Sequence, residues 1–520
     1  MKDVYCSYYT KSEDITSYMV AKMGIVENDL ILEPSAGEGT FIDEILKRKI
    51  KVRIDALDIN EKAISTMQMK YSEIPDVNVR LTDTLFDDVL DKYATSEIWL
   101  KNTDILLDEQ LDLFSSVGGH YDKVIGNPPY GAWQDREKRD LLKKKYVGQY
   151  VKETYTLFLL RSLSVLKNGG RLSFIIPDTF LFLNMHEKLR KILLTNTRIE
   201  EILIFPSNFF PGVSFGYSNL SIITLEKCDK DETLENNVRI LKGFKSSSEF
   251  KEVLRNRFKK HHQIYELKQI DIFKSEKSRF ILADEEISYM IDTSNLRLGD
   301  MADIVTGFYS GDNKKFICAK NENIRNSKGY KIIDAKKVYE TTSLIGVEGV
   351  EEAYVPYIKS SSRTRYMRTE DEWFVRWDSK TIKFYNENKK ARFQNSQFYF
   401  KKGVAIPMVK SKEIRATLME NRVFDQSIVG IIPKEEKDLY YILALMNSEA
   451  INRLVHIINP TANNSSNYVK QLPYKTPSAS DRRIIEENVI EILSLDILKD
   501  IERIEHLHAQ NNKLIEKAYS

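Results

Sequence analysis

A chain of 520 residues that is 42% hydrophobic can bury more than one core, and length alone suggests roughly two to four domains. Cys6, Cys228 and Cys318 lie far apart and form no CxxC pair, which argues against a zinc site or a disulfide framework and predicts that no metal is required. No signal-like apolar run opens the sequence and no segment is long enough to span a bilayer, so the expectation is a soluble cytoplasmic chain with no membrane partner. The net charge of +2 hides an asymmetry: residues 1–130 carry 14 Lys/Arg and 24 Asp/Glu, the remainder 64 and 52. An acidic first part and a basic remainder suit a small-ligand domain joined to a polyanion-binding portion, although scattered surface charge gives the same count.

From residue 28 to 227, short runs of Ile, Leu and Val alternate with segments of helical period, the pattern of a parallel sheet covered by helices. The predicted strands are 30–33, 53–58, 77–82, 123–126, 171–177, 199–205 and 220–225. Between them, residues 153–167 carry Leu157, Leu160, Leu163 and Leu166 at helical spacing and end at Asn168-Gly169-Gly170.

The first strand runs into Glu33-Pro34-Ser35-Ala36-Gly37-Glu38-Gly39, where two glycines permit a sharp turn and close approach of backbone to a ligand. The second strand ends in Leu57-Asp58-Ile59, placing a carboxylate where ribose hydroxyls can donate to it. A third glycine of the dinucleotide fingerprint is missing, so the predicted ligand is an adenosine without a pyrophosphate.

The fourth strand leads to Asn127-Pro128-Pro129-Tyr130, again at the carboxyl edge of the sheet. Consecutive prolines hold the Asn127 amide oxygen and the Pro128 carbonyl as a rigid pair of acceptors. Such a pair matches the two hydrogens of a planar NH2 group; accepting both concentrates the nitrogen lone pair and aims it at a methyl sulfonium. Tyr130 offers a ring face for stacking.

With these residues in this order, the chain resembles the N6-adenine DNA methyltransferases of bacterial restriction-modification systems, in their gamma arrangement. The resemblance implies S-adenosylmethionine as cofactor and a Rossmann-like seven-stranded methyltransferase sheet, followed by a C-terminal α+β target-recognition domain and a helical tail. It assigns catalysis to Asn127, Pro128, Pro129 and Tyr130. Thr10, within Tyr8-Tyr9-Thr10-Lys11, joins Glu33, Pro34, Ser35, Ala36, Gly37, Gly39, Asp58, Ile59 and Phe158 around the cofactor. The aspartate that contacts the cofactor adenine is Asp83 or Asp104, an insertion of about twenty residues lying on one side or the other. Stacking on the target base falls to Tyr130 and Phe210, with Phe209 and Phe215 as rivals to the latter. An amine inside a duplex is out of reach of a sheet-edge pocket, so the adenine has to be flipped out.

The implied domains are 1–235 for cofactor and catalysis, 236–295 as a connecting region, 296–478 for target recognition and 479–520 as a helical segment. The connecting region contains the basic cluster Lys259-Lys260-His261-His262. Recognition-like patterns open at Arg297 and close near residues 459–474, and between them Tyr357, Lys359, Arg363, Arg365, Tyr366, Trp373, Arg376 and Trp377 mix basic with aromatic groups suited to phosphates and base edges. Residues 480–520 read as a helix with a broad apolar face, expected to dock within the chain, which favours a monomer. The implied partners are double-stranded DNA and a cognate restriction endonuclease acting on the same sequence without an obligate complex. NPPY enzymes that modify ribosomal RNA or a protein glutamine are alternatives, as is a non-catalytic DNA-binding specificity module.

Overall fold

The computed structural model describes residues 10, 12–94, 119–131, 136–210, 219–228, 233–255, 263–283, 290, 294–409, 413–458 and 464–519. The chain divides into two compact units, Met1–Ile281 and Leu282–Ser520.

The first unit is built on one sheet of nine strands: β1 (Leu30–Glu33), β2 (Arg53–Asp58), β3 (Val77–Leu81), β4 (Tyr121–Gly126), β5 (Leu166–Pro177), β6 (Thr197–Pro206), β7 (Asn219–Lys227), β8 (Asn237–Lys242) and β9 (Gln263–Lys268). Their order is β3-β2-β1-β4-β5-β7-β6-β8-β9. Pairing is parallel from β3 through β5, and β7 runs antiparallel between β5 and β6. The seven expected strands are all present, but the sheet is wider than predicted by two. β8 pairs parallel with β6, and β9 antiparallel with β8. Both fall in the stretch read from sequence as a connecting region. β9 reads as polar because it is an edge strand with no buried residue, a usual protection of an open edge.

Strand order reverses between β1 and β4, which opens a crevice at the carboxyl edge. The helix Glu13–Lys22 begins at Ser12, whose hydroxyl accepts from the Ile15 amide at 3.4 Å. After β2, Asn60 caps Glu61–Lys70 by accepting from the Lys62 and Ala63 amides. The helix Thr154–Val165 is buried along its whole length, including Thr154, Thr156, Arg161, Ser162 and Ser164, so it has no polar outer face. It is one turn shorter than the periodicity suggests, because Leu166 already starts β5.

In the second unit a four-stranded sheet (Ala302–Thr306, Ile428–Pro433, Gly403–Pro407, Thr417–Met419) and a five-stranded sheet (Lys331–Ile332, Ile317–Ala319, Trp373–Arg376, Tyr354–Ile358, Val423–Phe424) share an aromatic core. Trp373, Trp377 and Tyr357 belong to that core, and Tyr366 is equally buried. These four are therefore packing residues, not the base contacts their spacing among arginines suggested. The expected single C-terminal helix is two, Ala479–Ser494 and Ile501–Tyr519, packed on each other and on Leu439–Asn447. Among the described residues, no helix is long and apolar enough to cross a membrane.

Candidate active site

The turn after β1 folds back over β2. Ala36 N donates to the Leu57 carbonyl and Gly37 N to Asp58 Oδ2, both at 2.8 Å. Asp58 Oδ1 accepts from Asn60 N at 2.8 Å, so one carboxylate fixes both the glycine turn and the start of the next helix. Gly37 and Gly39 adopt φ of +54° and +80°, values at which L side chains are strained. A Cβ on Gly39 would also fall on the Tyr71 hydroxyl, which donates to the Gly39 carbonyl and to Asp43 at 2.9 Å. Ile59 stays 39% exposed beyond this turn.

Glu33 is buried at the end of β1, and burial, followed by the neighbouring Asp58 and Asp43 carboxylates, pushes its carboxyl well above the usual range. Its Oε2 and the Ser35 hydroxyl are buried without a hydrogen-bond partner among the described residues. An unsatisfied carboxylate oxygen and hydroxyl beside a glycine turn fit a ligand rich in hydroxyl and cationic groups, as an adenosyl sulfonium with an ammonium is.

The tetrapeptide lies next to this turn. Gly126, the last residue of β4, is so close to it that an added Cβ would sit 3.5 Å from Pro34 and 3.7 Å from the Ser35 hydroxyl. Asn127 Nδ2 donates to Thr10 Oγ1 at 3.2 Å, which turns the amide oxygen away from Thr10. Thr154, first residue of the helix Thr154–Val165, donates its hydroxyl to the Pro129 carbonyl at 2.6 Å. Thr10, the Glu33–Gly39 turn, Asp58 and Asn127 are thus brought to the crevice predicted for them. Phe158 is buried on the helix Thr154–Val165, while Tyr130 and Phe210 are each only 1% exposed.

Asp83 follows β3; its Oδ1 accepts from Leu85 N at 3.1 Å and its Oδ2 from Lys138 at 2.7 Å. Asp104, Tyr8, Tyr9, Lys11, Phe215 and the cluster at 259–262 lie outside the described residues. Phe209 turns toward Phe250, with ring centroids 6.0 Å apart.

Three comparisons bear on this geometry. The stretch from Asp43 to Phe210, which carries Asp58, the tetrapeptide and Phe158, matches the Eco57I restriction-modification methylase family. Residues 43–210 belong to that family. Two similar proteins are the type II methyltransferase M.HindII of Haemophilus influenzae, 25% identical over 58% of this chain and 53% of that one, and M.AccI of Acinetobacter calcoaceticus, 26% identical over 37% and 32%. The chain therefore matches about half or less of these relatives' lengths. Among solved structures, the DrdV–DNA complex superposes with a TM-score of 0.53 over 95% of this chain and 57% of that one, at 14% identity, a likeness of fold alone.

Within the methylase segment the structure adds residues that sequence reasoning passed over. Thr84 donates to the Pro34 carbonyl at 2.5 Å. Arg161, 1% exposed, donates from Nε to the Thr84 carbonyl at 3.2 Å and from Nη2 to the Asp87 carbonyl at 2.7 Å. The available signal was a lone arginine inside the apolar run TYTLFLLRSLSV, since a charge in such a stripe is retained only where it is bonded.

Asp178, just past β5, is a second such residue. Burial pushes its carboxyl up to about 6, against the opposing pull of Asn219 and Lys242. A carboxyl whose folded pKa lies above its unfolded value favours the protonated fold, so stability is lost as pH rises from about 4 through about 6. Asp178→Asn, which does not ionise, is expected to exceed the wild type by about 2–3 kcal/mol at pH 8 and to match it near pH 4. Urea unfolding of the full chain at both pH values checks this; a variant less stable at pH 8 reverses the sign.

Proposed function

We propose that this chain transfers a methyl group from S-adenosylmethionine to N6 of a flipped-out adenine in duplex DNA, as the modification arm of a restriction-modification system. The observation that carries the reading is the placement of Asn127, held by Thr10 directly beside the Glu33–Gly39 turn at the reversal of strand order. The similarity to proteins named type II methyltransferases supports DNA as the substrate. Cofactor binding falls to Glu33 and Asp58 with the amides of the glycine turn, and Phe158 supplies an apolar wall for the adenosyl ring.

When bound, the cofactor supplies an electrophilic methyl on sulfonium. Asn127 Oδ1 and the Pro128 carbonyl accept the two hydrogens of the target amine and draw its nitrogen toward a pyramidal shape. Held this way, the N6 lone pair would face the methyl carbon that the cofactor supplies, and the amine would release one proton to solvent on methylation. A strong general base is not needed, because the amine loses its proton only as positive charge develops on it. Thr154 holds the Pro129 carbonyl, so the backbone of the tetrapeptide stays fixed during the transfer.

The test incubates the protein with methyl-labelled S-adenosylmethionine and duplex DNA and identifies the labelled nucleoside after digestion. Label in N6-methyldeoxyadenosine is expected. Label confined to cytosine, to RNA or to a protein glutamine overturns the reading, as does cofactor binding with no transfer to any of them.

A further inference from the structure

Strand order places two polar side chains between the tetrapeptide and Phe210. Along β4-β5-β7-β6, Tyr130 lies four residues beyond Gly126 and Asp178 four beyond Phe174, the residue paired with Gly126. Pro177 pairs with Leu220, so Asn219 stands beside Asp178, and Asn219 itself pairs with Pro206, where β6 enters the turn to Phe210. A planar ring held between Tyr130 and Phe210 would therefore have Asp178 and Asn219 at its edge.

Their chemistry is asymmetric. Asn219 Nδ2 donates to Asp178 Oδ2 at 3.0 Å, and Asp178 is 6% exposed. This bond fixes which end of the amide is which and uses one of its two N–H groups. The second N–H has no partner among the described residues, and Asn219 is only partly buried. Lys242, at the end of β8, is the cation whose charge acts on Asp178. Its own ammonium lies 5.3 Å from the centre of the Tyr265 ring, so the amide, not the ammonium, is the oriented donor.

Adenine presents only acceptors around its amine: ring nitrogens N1 and N7 flank N6. With Asn127 and Pro128 accepting from N6, a donor is what the remaining edge requires. We propose that Asn219, oriented by Asp178, donates a hydrogen bond to a ring nitrogen of the flipped adenine and so helps select that base. The assignment rests on the adenine N6 reading above.

The test first maps the sequence that the wild-type protein methylates in phage DNA. Duplexes carrying that site with adenine, 1-deazaadenine or 7-deazaadenine at the target are then compared for wild type, Asn219→Leu and Asp178→Asn, with S-adenosylmethionine binding measured on each to confirm an intact fold. Asn219→Leu is expected to lower kcat/KM on adenine about tenfold, and wild type to lose a similar factor on one of the two analogues. On that analogue Asn219→Leu should lose nothing more, because the bond is already absent. Asp178→Asn, which leaves the amide free to turn over, should fall between the two. Undiminished kcat/KM in Asn219→Leu, or independent losses that multiply on both analogues, overturns the assignment while leaving adenine methylation standing. No methylated adenine with any DNA overturns the adenine reading and this assignment together.

Discussion

Asn127→Ala is expected to lower the rate of methyl transfer at least about a thousandfold, about 4 kcal/mol of transition-state stabilisation, while S-adenosylmethionine still binds. The size follows from where the amide acts. On the proposed mechanism it gains most when the amine nitrogen becomes pyramidal and positively charged, so its loss falls on kcat rather than on cofactor affinity. Alanine at 127 also removes the bond to Thr10 Oγ1, but the glycine turn keeps its own anchors, Ala36 N on Leu57 and Gly37 N on Asp58. Single-turnover rates with saturating cofactor, alongside calorimetric cofactor binding, separate the two effects. A variant that has lost cofactor binding with its fold intact would show that Asn127 belongs to the cofactor site instead.

Arg161→Leu should cost about 3–5 kcal/mol of stability in the first unit and weaken cofactor binding through the Pro34 turn. The guanidinium is buried, donates to the carbonyls of Thr84 and Asp87, and meets Asp91 at 2.6 Å. Leucine fills much of the space but leaves both carbonyls without their donor in the interior, each a loss of about 1–3 kcal/mol. Asp91 is spared the worst of it, since Lys145 donates to the same carboxylate at 2.9 Å. Thr84 then links the damage to the site, because its hydroxyl holds the Pro34 carbonyl. Thermal unfolding with and without S-adenosylmethionine measures both parts. A shift in melting temperature of only a degree or two would mean that Arg161 is not a structural anchor.

The strands from Leu30 to Lys227 were legible chiefly because the buried ones, such as β1, β6 and β7, carry apolar runs, and that pattern survives without knowledge of neighbours. β8 and β9 were not: β9, at the open edge of the sheet, is polar like a loop, and β8 is a short, partly polar strand that declares itself only through its partners β6 and β9. The aromatic residues between Tyr357 and Trp377 show the reverse failure. Their mixture with arginines resembles a nucleic-acid surface, yet Trp377 is covered in the core shared by the two sheets and Tyr366 is covered against His508 of the last helix.

For the candidate site the division runs along the same line. The Glu33–Gly39 turn, Asp58 and Asn127-Pro128-Pro129-Tyr130 each lie in contiguous residues at strand ends, and the βα alternation alone sends all of them to one edge; to that extent the sequence by itself determined the placement of the glycine turn and the tetrapeptide. Arg161, Thr84, Thr154 and the Asp178–Asn219 pair act through bonds to residues 25 to 77 positions away. Only the tertiary structure decided those, because a hydrogen bond between distant residues leaves no periodicity in the chain and exists only once strand order has brought its two ends together.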